Sequence, residues 1–234
     1  MIKHLALYLA LLPCVNGLHA DALDDLVRMN ALYQKKTSLY MEFDLVLRYK
    51  NNRKTEEKHT CVLSQNANRT YYKALNTEYV NDGTNSFFLD HTQKLLIIGT
   101  SRDQEAMNAI LSKPTGSFAG DSAKLMKEYS IQYVDTGRNT ILLLPKEESS
   151  EFASIYITLN SDYSLSKIVY HYKEDKSKGV KITGYEITYR IQTFHAESKY
   201  FSSSKYASVK NDKIFPKKQY ASYKIVDKRI NYNH

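Results

Sequence analysis

Leu39-Tyr40-Met41-Glu42-Phe43-Asp44-Leu45-Val46-Leu47-Arg48-Tyr49 places an apolar residue at every second position: Leu39, Met41, Phe43, Leu45, Leu47 and Tyr49. Side chains of a strand alternate between two faces. Those six therefore share one apolar side, and Tyr40, Glu42, Asp44, Val46, Arg48 and Lys50 form a mostly wet one. A strand with a single greasy side belongs to an antiparallel sheet or an open barrel. The functional question is what fills that side: the protein itself or an apolar cargo.

Working outward, residues 21–36 read as a helix, with Leu23, Leu26, Val27, Asn30 and Tyr33 at helical spacing and Asp21, Asp24 and Asp25 near the positive end of its dipole. After residues 39–50, Asn51-Asn52-Arg53 turns the chain into a meander of strands at 55–64, 70–75 and 77–80. A turn at Asn81-Asp82-Gly83 leads to a hairpin of residues 86–89 and 94–98. The pattern then becomes helical. Ser101 and Gln104 form a capping box, Met107, Ile110 and Leu111 continue a helix that stops at Pro114, and Asp121 can cap a short helix holding Ala123, Leu125 and Met126. Strands resume at 129–134, 140–144, 152–159, 165–173 and 180–193, and 223–226 is a last candidate. The expected fold is mainly β with α: a strongly curved antiparallel sheet, an unclosed β-barrel, with an N-terminal helix and a central helical lid.

Residues 1–20 have the form of an export signal, with Lys3 and His4 before an apolar run at 5–12 that is too short for a membrane anchor. Cleavage after Ala20 is favoured over cleavage after Gly17, and lipidation at Cys14 is an alternative that the preceding Pro13 argues against. Removal of Cys14 leaves Cys61 as the one cysteine, so the core must hold by burial rather than by a disulfide. Residues 21–234 carry no linker-like stretch and read as a single domain.

The net charge of +8 is unevenly placed. Residues 21–198 balance, whereas from Lys199 onward nine basic side chains face only Asp212 and Asp227. For an exported protein this excludes nucleic acid as the natural partner. The basic segment 199–234 is either a solvated tail or a contact surface, through Lys213, Lys217 and Lys218, for anionic headgroups or an envelope membrane protein.

Catalytic signatures are absent from the sequence. His59, His91, His171, His195 and His234 are scattered without metal-ligand spacing, and no cofactor motif occurs. In Gly116-Ser117-Phe118-Ala119-Gly120 the serine follows its glycine directly, unlike the G-x-S-x-G nucleophile elbow. The expectation is a noncatalytic protein.

The order of these motifs resembles the periplasmic lipoprotein carrier and receptor family of LolA and LolB. A leading helix runs into Ser38-Leu39-Tyr40-Met41-Glu42-Phe43, and an Asp-Gly turn precedes an aromatic strand in Asn81-Asp82-Gly83-Thr84-Asn85-Ser86-Phe87-Phe88-Leu89. A strand ends in proline at Ile141-Leu142-Leu143-Leu144-Pro145, and a hairpin of residues 155–159 and 165–170 follows. The tryptophan-rich lining common in that family is missing. The resemblance implies a monomeric carrier or receptor in the periplasm of a Gram-negative-type bacterium, taking lipoprotein acyl chains or another lipid. It implies a cavity lined by Met41, Phe43, Leu45, Leu47, Phe87, Leu89, Leu144 and Ile157, and a lid of Ile110, Leu111, Leu125 and Met126.

Overall fold

The computed structural model describes residues 21–50, 55–101, 122–134, 137, 139–174, 181–211 and 213–229. Helix α1 (Ala22–Gln34) leads into β1 (Ser38–Lys50), β2 (Glu56–Asn66), β3 (Arg69–Ala74), β4 (Thr77–Asn81), β5 (Asn85–Asp90) and β6 (Leu95–Thr100). A short helix α2 (Ser122–Glu128) runs into β7 (Tyr129–Tyr133), followed by β8 (Thr140–Pro145), β9 (Phe152–Leu159), β10 (Leu165–Tyr172) and β11 (Lys181–Thr193). The chain finishes with β12 (Ala207–Lys210), β13 (Lys213–Pro216) and β14 (Lys224–Asp227), interspersed with single 3₁₀ turns.

Twelve strands form one sheet in the order β14-β6-β5-β4-β3-β2-β1-β11-β10-β9-β8-β7. Its two edge strands do not pair, so the curved sheet is unclosed. β1 is central, bonded to β2 and β11, and the register slips against β11 between Glu42 and Phe43 and again between Arg48 and Tyr49. Bulges of this kind bend and twist a strand, which suits a long strand at the crest of a curved sheet. Gly184 of β11 is required by close packing. A Cβ there would lie 2.3 Å from the Tyr170 carbonyl oxygen of β10, and that atom is backbone that cannot swing aside. Gly184→Ala is expected to lower the denaturant midpoint by a shift equivalent to about 1–3 kcal/mol.

The sheet has an apolar layer on each face. The inner face joins β1, β2 and β7–β11 under α1, whose buried residues are Ala22, Leu26 and Met29. Val27, placed by spacing on the same stripe, is exposed. Asp21 caps the helix by accepting the Leu23 N–H. On the outer face a second core covers β3–β6: Tyr71, Val80, Phe87, Leu89, Leu96 and Ile98 lie beneath Ala196, Phe201, Tyr206 and Ala207.

The described residues of the basic C-terminal segment are therefore folded onto the sheet rather than forming a solvated tail. β14 pairs in parallel with β6 and extends the sheet. Tyr206 stacks near Phe87 with ring centroids 6.2 Å apart and donates a 2.6 Å hydrogen bond to Glu78. Some of the excess charge is used internally, since the Lys205 ammonium sits 4.5 Å from the Tyr71 ring centre and 4.9 Å from that of Tyr206. The strands otherwise match the sequence expectation within a few residues. The proposed signal, the capping-box helix, Ile110, Leu111 and Ser117 lie outside the described residues.

Candidate functional site

The inner face is built by cross-strand ladders, because residues directly opposite one another in a sheet share a face. One ladder runs Ile141, Ile157, Ile168, Ile187, Leu45 and His59 across β8, β9, β10, β11, β1 and β2. The next runs Leu143, Ile155, Tyr170, Tyr185, Leu47 and Glu57. Beyond them Phe43 stands between Tyr189 and Cys61, and Met41 opposes Leu63. The result is an aliphatic band bordered by aromatic rings: Tyr170 and Tyr185 stack at 4.3 Å, and Phe152 packs 5.2 Å from Tyr170. Desolvation pushes the phenols of Tyr170, Tyr185 and Tyr189 well above the usual tyrosine range, so these rings stay neutral and act as apolar surface.

The expected lining residues divide. Met41, Phe43 and Ile157 are buried in the inner core, Leu45 packs against it, and Leu47 is half-buried beside Tyr185 on the same face. Phe87 and Leu89 do not join them. They project from β5 into the outer core, and it is Phe88 between them that faces inward. Leu144 is 38% exposed, because Ile141 and Leu143 take the inward positions of β8 and parity turns Leu144 out. Of the expected lid, Leu125 is buried against the inner core and Met126 points to solvent at 50% exposure.

Helix α1 is fastened across the inner face by polar contacts at both ends. Tyr133 of β7 donates a 2.7 Å hydrogen bond to Asp25. The Tyr33 hydroxyl donates to Gln192 and accepts the Leu165 N–H at 2.9 Å, and the Gln192 amide donates to the Leu165 carbonyl. Desolvation pushes the Tyr33 phenol up to about 12. Beside the helix, Arg28 donates a 2.6 Å hydrogen bond to the Tyr163 hydroxyl, and these two residues with Ala31, Leu32, Lys35, Lys36 and Asp162 line an open groove of about 320 Å³.

Sequence reasoning missed the polar end of the ladders. His59 and Glu57 sit two residues apart on the inner face of β2, 2.9 Å from each other, and Tyr49 donates a 3.1 Å hydrogen bond to Glu57. The parity of β2 held the clue: Cys61 and Leu63 are the apolar members of its inward set, so Glu57 and His59 must join them. On the opposite face of β1, charge is neutralised in pairs. Lys58, aided by Thr60 and Arg190, holds the Asp44 carboxyl below the usual range, and Glu186 pairs with Arg48 and Lys167.

Cys61 is fully buried on the inner face, and desolvation pushes its thiol up to about 11. Alkylation by iodoacetamide at neutral pH is expected to be slower in the native protein than in urea by on the order of 100-fold, because the thiolate is the reacting species and both its formation and its access are suppressed. Mass spectrometry of the labelled protein checks this. Among the described residues, no group of three or more His, Cys, Asp or Glu is placed to hold a metal ion, and no helix is long and apolar enough to cross a membrane.

No protein-family model and no curated protein matches the sequence. Solved structures similar to the chain include a domain from Vibrio parahaemolyticus named for outer membrane lipoprotein sorting, at 10% identity over 78% of this chain and 96% of that one, with a TM-score of 0.34. A LolA superfamily protein from Nitrosomonas europaea is 9% identical over 79% of this chain and 98% of its own, with a TM-score of 0.33. An uncharacterised protein from Thermus thermophilus is 12% identical over 88% of this chain and 98% of its own, with a TM-score of 0.42. At these values nothing about ligand or partner passes from those proteins to this one.

Proposed function

We propose that the protein is an exported, noncatalytic lipid carrier or receptor that takes a long acyl chain, free or lipoprotein-borne, against the inner face of its sheet. The supporting observation is the aliphatic ladder from Ile141 to Leu45, an apolar band covered by helices instead of by a second sheet. Energetics favour exchange of a helix for a lipid. Among the described residues Leu125 is the one buried side chain of α2, worth about 1.5–3 kcal/mol. A sixteen-carbon chain withdrawn from water gains on the order of 12 kcal/mol. An acyl chain can therefore displace the α2 side of the roof and still bind. His59, Glu57 and Tyr49 at the end of the band then supply hydrogen-bonding partners for the polar head.

The test is to purify the protein under native conditions, analyse an organic extract by mass spectrometry, and titrate the delipidated protein with a fluorescent fatty acid. Co-purified lipid or saturable uptake supports the proposal. An empty extract together with no uptake rejects it.

A further inference from the structure

The hairpin of β12 and β13 presents a surface that neither core explains. Ala207 pairs with Pro216 and Val209 with Ile214, and this side of the hairpin leans on the outer core through Ala207 and Ile214. Ser208 pairs with Phe215 and Lys210 with Lys213, so these four side chains share the other side. Phe215 is 49% exposed although Ile214 beside it packs inward. Lys213 and Lys217 stand two residues before and after Phe215 on an extended backbone, and Lys218 follows. All four lysines, 210, 213, 217 and 218, are exposed, and none forms an ion pair with a described carboxylate.

Three other basic residues of the segment are committed within the fold. Lys199 pairs with Glu197 at 2.6 Å, Arg229 with Asp227 at 2.8 Å, and Lys205 is committed to two tyrosine rings. Among the described residues six exposed lysines of the segment form no ion pair with a described carboxylate, and four of them, all but Lys224 and Lys228, lie on or next to the hairpin that carries the exposed Phe215 ring. Each like-charged neighbour costs some repulsion and an exposed phenylalanine gains nothing from water, and both costs are relieved against an external surface of opposite charge with an apolar layer beneath it.

We propose that this hairpin docks the protein on an anionic lipid bilayer, with Phe215 entering the headgroup boundary and Lys210, Lys213, Lys217 and Lys218 contacting acidic headgroups. A bilayer fits better than an acidic protein, because flexible lysines around one protruding ring match a fluid layer of charges over an apolar interior. The docking is independent of whether the inner face takes up a lipid.

The experiment is co-sedimentation of the purified protein with phosphatidylcholine vesicles, with and without phosphatidylglycerol. Binding is expected only when phosphatidylglycerol is present and is expected to weaken as salt is raised. Phe215→Ser and the triple variant Lys213→Glu, Lys217→Glu, Lys218→Glu should each reduce it about tenfold or more. These side chains are exposed, so circular dichroism and the melting temperature should match wild type. Binding of the charge-reversed variant equal to wild type overturns the proposal. So does failure of the wild type to bind vesicles, including the case in which the lysines capture an acidic protein instead.

Discussion

A chain ending at Thr193 is expected to be insoluble or unfolded, although it keeps α1, β1–β11 and the whole inner face. Removing everything after Thr193 uncovers Tyr71, Val80, Phe87, Leu89, Leu96 and Ile98, all buried in the outer core. At about 1.5–3 kcal/mol for each large side chain returned to water, the loss is roughly 10 kcal/mol, comparable with the entire net stability of an ordinary domain. Two further effects act in the same direction. Loss of β14 leaves β6 as a bare edge strand, open to pairing with other chains. Loss of Tyr206 removes the hydrogen bond to Glu78, leaving Lys73 at 3.2 Å as its main partner in a desolvated site. The measurement is the soluble fraction on expression, followed by urea unfolding of any soluble material. A truncated chain that unfolds cooperatively with wild-type stability would show that the C-terminal segment is an appendage after all.

That expectation reverses the simplest reading of a basic terminus, and the reason it was hard to read lies in particular residues. Net charge describes how a segment meets solvent, not whether it folds. Tyr200, Phe201, Tyr206, Tyr220 and Tyr223 stand among the lysines, and those rings were the legible sign of a buried face. Strand β1 was legible because it is apolar on one side and charged on the other. Strand β5 was not. In Asn85-Ser86-Phe87-Phe88-Leu89-Asp90 both faces meet a core, so alternation marks a strand without saying which parity looks inward, and Phe87 and Leu89 take the outer side. The run Leu142-Leu143-Leu144 carries the same ambiguity, resolved only by the pairing of Leu143 with Ile155. The polar end of the inner-face ladders is illegible for a different reason. Glu57 and His59 look like ordinary polar strand residues until β2 is set in register against Leu47 and Leu45.

The division into two faces gives a controlled test of function. Phe43 is 2% exposed on the inner face, with its ring 5.8 Å from that of Tyr189, and Phe87 is 1% exposed on the outer face. Truncating either to alanine removes the same atoms from a packed core, at a cost of about 3–5 kcal/mol, which in a domain of this size lowers Tm by about 10–15 °C. The two variants should differ once lipid is added. A ligand that binds only the folded state raises stability by RT ln(1 + [L]/Kd), about 2.7 kcal/mol at a hundredfold excess over Kd. If the inner face holds an acyl chain, the space left by Phe43→Ala adjoins the ligand and part of it is refilled. A saturating fatty acid should then raise the Tm of Phe43→Ala by more than it raises that of wild type. Phe87→Ala, whose void opens beneath Tyr206 on the far side of the sheet, should gain no more than wild type does. Equal lipid-induced shifts for both variants would place the ligand elsewhere, and the absence of any shift in all three proteins would leave the inner face as a core filled by its own side chains.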